Sequence, residues 1–135
     1  MADYTPTVQE VASYIRSRTR DQYGNEAGTF NEDTRPTGVE VAELIAVAEG
    51  LVVPALGRFP ESLAASARSL IALCAAILVE GSYFSDSQEG SQVENLETRF
   101  DKALEGFQTA VNRNAPNDVR YGSIGVVSAV MEARQ

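Results

Sequence analysis

Residues 70–79 read LIALCAAILV, an uncharged apolar run bracketed by Arg68 and Glu80. A helix made of such residues has no polar face to turn to water, so other elements must enclose it. That requirement sets the architecture: a central helix from about Pro60 to Val79–Tyr83, with amphipathic helices packed around it. Pro60 suits the first position of that helix, where its missing N–H costs no hydrogen bond. The run is well short of the ~20 apolar residues that span a bilayer, so the expectation is a core helix and no membrane association.

The surrounding helices are marked by capping boxes, in which a Thr or Ser hydroxyl and a Glu carboxylate satisfy backbone N–H groups that the first turn leaves orphaned. Thr7-Val8-Gln9-Glu10 opens a first helix to about Arg16–Arg18, with Val8, Val11, Ala12 and Ile15 at helical spacing. Thr37-Gly38-Val39-Glu40 opens a second, where Val41, Leu44, Ile45, Ala48, Leu51, Val52 and Ala55 form one broad apolar face. Gly57 is placed to cap its end, and Pro54 to end or kink its last turn. After a polar loop from Ser82 to Gly90, Ser91-Gln92-Val93-Glu94 opens a fourth helix. Its apolar positions, from Val93 and Leu96 through Phe100 and Leu104 to Phe107 and Val111, keep a three-four spacing until Asn114-Ala115-Pro116 stops it.

The segment from Val119 to Val130 differs: it is rich in β-branched residues, broken by Gly122 and Gly125, and has no helical stripe. No stretch elsewhere offers it a strand of convincing length. It reads either as a frayed terminus or as a strand that pairs with another chain. The expected fold class is therefore all-α: a small bundle of about four helices, with a long loop between the first two and an extended, strand-like C-terminal arm. The bundle domain takes residues 1–114 and the arm residues 115–135.

Composition narrows the function classes. The chain has 135 residues, 44% hydrophobic and 22% charged, which is globular rather than disordered composition. A net charge of −8 argues against a grip on nucleic acid, which needs clustered Lys and Arg to displace phosphate counterions. It suits a surface past which DNA slides, because like charges repel. Cys74 is the single cysteine, so no intrachain disulfide can form, and it reads as a buried small apolar residue. The absence of histidine removes the commonest general base and metal ligand. Met1 to Glu10 lacks the basic-then-apolar layout of a secretory signal.

Little here points to catalysis. The phosphate-binding, dinucleotide-binding and nucleophile-elbow motifs are missing. Glu40 and Glu43, and Glu94 and Glu97, are spaced three apart as in carboxylate-bridged di-metal bundles, but the Glu-x-x-His element needs histidine. These pairs read as solvated helix faces. The loop DQYGNEAGTFNE has acids at its first and twelfth positions, yet Tyr23 occupies the third calcium-ligand position and Glu26 that of the turn glycine, so it is not a calcium loop. The expectation is no enzyme, no cofactor and no metal.

The stretch TRDQYGNEAGTFNEDTRPT, Thr19 to Thr37, is a long polar loop where connections usually run about 4–6 residues. Arg16, Arg18 and Arg20 precede it, and they read either as local ion-pair partners of its acids or as contacts to an acidic neighbour. The order of a capped short helix, an Arg-rich exit, YGNEAGTFNEDTRPT, a capped apolar helix, a buried central helix, an amphipathic helix and an extended C-terminus resembles the head-to-tail adaptor (head-tail connector) proteins of long-tailed bacteriophages infecting actinobacteria. The likeness is closest from about Val8 to Gly57.

The resemblance implies a virion structural protein made in the host cytoplasm. It would assemble with itself into a ring, commonly of twelve subunits, docked beneath the portal protein. The ring would extend the DNA channel, let the genome pass without specific binding, and offer a platform for the stopper or tail connector protein. The arm would engage the portal through Val119, Arg120, Tyr121 and Ile124, followed by Val126, Val127 and Val130. Neighbouring subunits would meet Arg16, Arg18, Arg20 and the loop residues Tyr23, Phe30, Asp33 and Arg35. Two other classes remain: a stand-alone acidic helical module that binds a protein partner, and a carboxylate enzyme with a bound metal.

Overall fold

A computed structural model describes residues 4–85 and 92–114. Over these residues the fold is an all-α bundle of four helices: α1 (Val8–Ala12), α2 (Gly38–Leu56), α3 (Ala64–Tyr83) and α4 (Val93–Asn114). Single 3-10 turns at Arg16–Arg18 and Glu61–Leu63 precede the long loop and α3. Among the described residues there is no strand, only two isolated bridges inside the loop. The proposed arm from Val119 to Val130 and the Ser91 cap lie outside the described residues.

α3 is the central helix, packed by α1, α2 and α4. Every residue from Leu70 to Ala76 is buried, Cys74 included. With the turn before it, Glu61–Tyr83 reaches 23 residues and contains an 18-residue window of mean hydropathy 1.9, long and apolar enough by those measures to cross a bilayer. Residues 70–79 alone understated that length. Half of the window is buried within the chain, as the core helix of a bundle requires.

The capping boxes at Thr7 and Thr37 both form. The Thr37 hydroxyl accepts the Glu40 N–H at 3.3 Å, and the Glu40 carboxylate accepts the Thr37 N–H at 2.9 Å. The first helix is shorter than its apolar spacing suggests. Ser13 donates its hydroxyl to the Glu10 carbonyl at 2.6 Å, the kind of side-chain bond that competes with a helical ladder, and Ile15 has left helical geometry at φ −138°. Ile15 is still buried. α2 ends as expected on Gly57 at φ 69°, with Pro54 inside its last turn. Its inner face is Val41, Ile45, Ala48, Val52 and Leu56, whereas Leu51 sits on the rim and is 38% exposed.

Two ion pairs tie the segment around α1 to both ends of the apolar run in α3. Near its start Arg68 donates to the Glu10 carboxylate, with Nε 2.9 Å from Oε2. At the far end Arg18 grips Glu80 through two bonds, Nε to Oε2 at 2.8 Å and Nη2 to Oε1 at 3.2 Å. The Arg18 and Glu80 side chains are 5% and 0% exposed. Glu80 also accepts the backbone N–H of Gln92 at 3.0 Å, just before α4 begins. Phe84 lies under the Arg18 guanidinium, 4.6 Å from ring centre to Cζ. At the opposite end of the bundle Tyr4, Phe59 and Phe107 stack edge to face at 5.3 Å.

Candidate functional site

The loop from Thr19 to Thr37 is folded upon itself. Asp21 accepts the N–H groups of Tyr23 at 2.9 Å and Asn25 at 3.0 Å, making the tip an Asx-type turn. Gly24 and Gly28 take φ of 81° and 84°, backbone that side-chain-bearing residues disfavour. Thr19 is fully buried: its hydroxyl accepts the Gly28 N–H at 3.0 Å and donates to the Arg16 carbonyl at 2.7 Å. Thr34, also fully buried, accepts the Asn31 N–H at 2.9 Å. Phe30 plugs the loop into the core at 4% exposure.

The loop then meets α2 closely. Gly38 donates to the Asn31 carbonyl at 3.0 Å, and a Cβ on Gly38 would stand only 2.9 Å from the Phe30 carbonyl oxygen. A polar loop this long is thereby held as a fixed shape by its own side chains.

The residues expected at a neighbour contact divide into two groups. Arg16, Arg20, Tyr23, Asp33 and Arg35 are exposed on the loop and its entrance, Tyr23 at 79%. Arg16 faces Glu26 at 3.5 Å, Arg20 donates to the Gly24 carbonyl at 2.8 Å, and Arg35 donates to the Thr34 carbonyl at 2.8 Å. Arg18 and Phe30 correct the expectation, because both are buried inside the chain. Arg18 is drawn inward by a carboxylate 62 residues away. Phe30 is the one large apolar side chain of the loop, and burial removes it from water. The arm residues Val119, Arg120, Tyr121 and Ile124, and likewise Val126, Val127 and Val130, lie outside the described residues.

Two shallow concavities flank this region. One, of about 290 Å³, is polar and lies between α1 and the loop, lined by Gln9, Ser13, Arg16 and the stretch from Ala27 to Thr29. The other, of about 420 Å³, is mostly apolar and lies where the loop meets α2, beside Asn31, Glu32, Thr37 and Val39. Near it the Thr37 N–H holds the Glu40 carboxyl below its usual range, and partial burial together with Glu40 pushes the Tyr83 hydroxyl up. Tyr83 donates to Glu40 at 3.2 Å. Among the described residues no three His, Cys, Asp or Glu side chains converge to hold a metal ion.

Sequence reasoning missed the outward face of α2. Val39 is 71% exposed, Val47 51% and Leu51 38%. Ala42, Ala46, Gly50 and Pro54 fill the spaces between and beyond them, and the charges on that side are Glu43 and, in line with Val47 and Leu51, Glu40. The signal was available: α2 has hardly any polar residue after its first two turns, which a helix with only one buried face does not need. Comparison with protein-family models, with curated proteins and with solved structures finds no match.

Proposed function

We propose that this chain is a structural virion protein, a head-to-tail adaptor whose copies form a ring beneath the portal and link the capsid to the stopper or tail. The observation that carries the reading is the Thr19–Thr37 loop. It lies within the stretch, about Val8 to Gly57, that most closely resembles the adaptors, and it is held by internal bonds while Arg16, Arg20, Tyr23, Asp33 and Arg35 stand exposed around it. A fixed loop loses little conformational freedom on docking, so its contacts with a neighbour count nearly in full. The net charge of −8 suits a channel wall that DNA must pass without adhering.

In this reading residues 115–135 reach the portal, the loop meets the adjacent subunit, and no chemistry is performed. The test is cryo-electron microscopy of the full chain mixed with its candidate portal. A ring capping the portal, with residues 119–130 added as a strand or clasp, is the expected result. Free portal beside unassembled chain, at high concentration and low salt, refutes the adaptor and favours a stand-alone protein-binding module.

A further inference from the structure

The tip of the Thr19–Thr37 loop is a closed turn that carries an aromatic side chain into solvent. The Asp21 carboxylate accepts the Tyr23 and Asn25 N–H groups at 2.9 and 3.0 Å. Its carbonyl accepts the Gly24 N–H at 3.0 Å, and its own N–H donates to the Asn25 carbonyl at 3.0 Å. Arg20 braces the same turn by donating to the Gly24 carbonyl at 2.8 Å, while remaining exposed. Tyr23 projects from this support at 79% exposure. A tyrosine has only two side-chain torsions to fix, so it docks from a fixed turn at small entropic cost. Buried in a partner, it is among the side chains that carry most binding energy.

The same loop ends in a hole. Where it meets α2, the mostly apolar concavity of about 420 Å³ is lined by Asn31, Glu32, Thr37, Gly38 and Val39. Val39, 71% exposed, is its apolar wall. The charges around it are acidic: Glu32 stands in the lining, and Glu43 follows Val39 about one helical turn along α2. None of the five lining residues is basic. Tyr23 does not fill this hole in its own chain, since it lies outside the lining on a turn that its bonds hold in place.

We propose that Tyr23 of one copy seats in the Thr37–Val39 concavity of a second copy, with Arg20 beside the Glu32 and Glu43 carboxylates. The match is one of charge as well as shape, an aromatic knob with a cation entering an apolar hole with acids at its edge. Knob and hole belong to opposite ends of the loop. One contact therefore leaves a free hole on the first copy and a free knob on the second, and the contact repeats head to tail. The inference rests on the adaptor reading and deepens it, by naming the two surfaces that meet between neighbouring copies. Held by one anchor, the contact is weak in free solution and is measured at high concentration.

The test is sedimentation velocity of the full chain, without portal, up to about millimolar protein. Expected are wild-type assemblies larger than two chains. Tyr23→Ala removes the knob, and Val39→Arg plugs the hole with a cation that repels Arg20. Both positions are exposed, so neither change should shift the urea midpoint. Each variant alone should be monomeric, with association weakened at least about tenfold. An equimolar mixture restores one contact per pair, the intact Tyr23 of one variant entering the intact hole of the other. It should give a dimer and nothing larger.

A wild type that stays monomeric throughout overturns the proposal, as does association that survives Tyr23→Ala. A mixture that stays monomeric overturns it too, and a wild type that stops at two chains refutes the head-to-tail arrangement. None of these outcomes involves the portal, so this contact can fail while the adaptor reading stands.

Discussion

Replacing Arg18 with Met should be among the most destabilising single changes outside the apolar core. The side chain is similar in length, so little packing volume is lost, but both bonds to Glu80 go. The carboxylate, fully buried, is left with the Gln92 N–H among the bonds described above. Removing one partner of a buried pair costs about 3–5 kcal/mol, because the other charge stays in a low-dielectric site. Against a typical domain stability of roughly 5–15 kcal/mol, that removes about a fifth of the total or more. It corresponds to a fall in Tm of roughly 10–20 °C for a chain of this size.

The diagnostic comparison is the double variant Arg18→Met/Glu80→Gln. Neutralising Glu80 removes the stranded charge while its remaining carbonyl oxygen can still accept the Gln92 N–H. The double variant should therefore be more stable than Arg18→Met alone. Urea denaturation followed by circular dichroism at 222 nm supplies both values, and the cycle gives the coupling. A loss below about 1 kcal/mol for Arg18→Met, or single losses that simply add in the double variant, would refute the reasoning.

Four further outcomes are expected. Gly38→Ala should cost more than about 1 kcal/mol, because its Cβ meets the Phe30 carbonyl, while Gly50→Ala should stabilise by up to ~1 kcal/mol; urea midpoints rank them. Arg68, through its hydrogen bonds, holds the Glu10 carboxyl down to about 2, well below its ordinary value of 4.5. The pair's contribution is thus full above pH 4.5 and is lost as pH falls toward 2. With Glu10 40% exposed, screening reduces it to about 1 kcal/mol, and Glu10→Gln should flatten that part of the stability–pH curve. Deleting residues 120–135 should leave the helical circular dichroism intact, and collapse of that signal would make those residues part of the folding unit. Leu73→Asp should unfold the chain, since it strands a charge at a position only 4% exposed, and a soluble folded variant would misplace α3.

The helices were legible because their signals are local. Thr7 and Thr37 each carry their own Glu three residues on, and the spacing of Leu96, Phe100, Leu104, Phe107 and Val111 specifies the buried side of α4 without knowledge of its partner. Non-local arrangements were not legible. Arg18 lies in a cluster with Arg16 and Arg20, and nothing in that cluster says which of the three will find Glu80. Glu80 marks the end of the apolar run, but whether such an acid faces water or an arginine depends on tertiary structure. The loop was recognised by its length and polarity, while its order rests on Thr19, Phe30 and Thr34 turning inward, which a polar composition conceals. The outer face of α2 was obscured because apolar residues were credited to the inward side, Leu51 among them.

The Glu80–Gln92 bond has a consequence for how this chain tolerates change. Sliding α4 by one residue would move it about 1.5 Å and rotate it by about 100°, turning Leu96 and Phe100 away from α3. The Glu80 carboxylate, twelve residues upstream and itself immobilised by Arg18, marks where α4 begins. Position is therefore set by a point on the preceding helix and not by counting residues along the connection. Any change in the length of the connection that leaves Arg18, Glu80 and the first turn of α4 unchanged should therefore keep the two helices in phase.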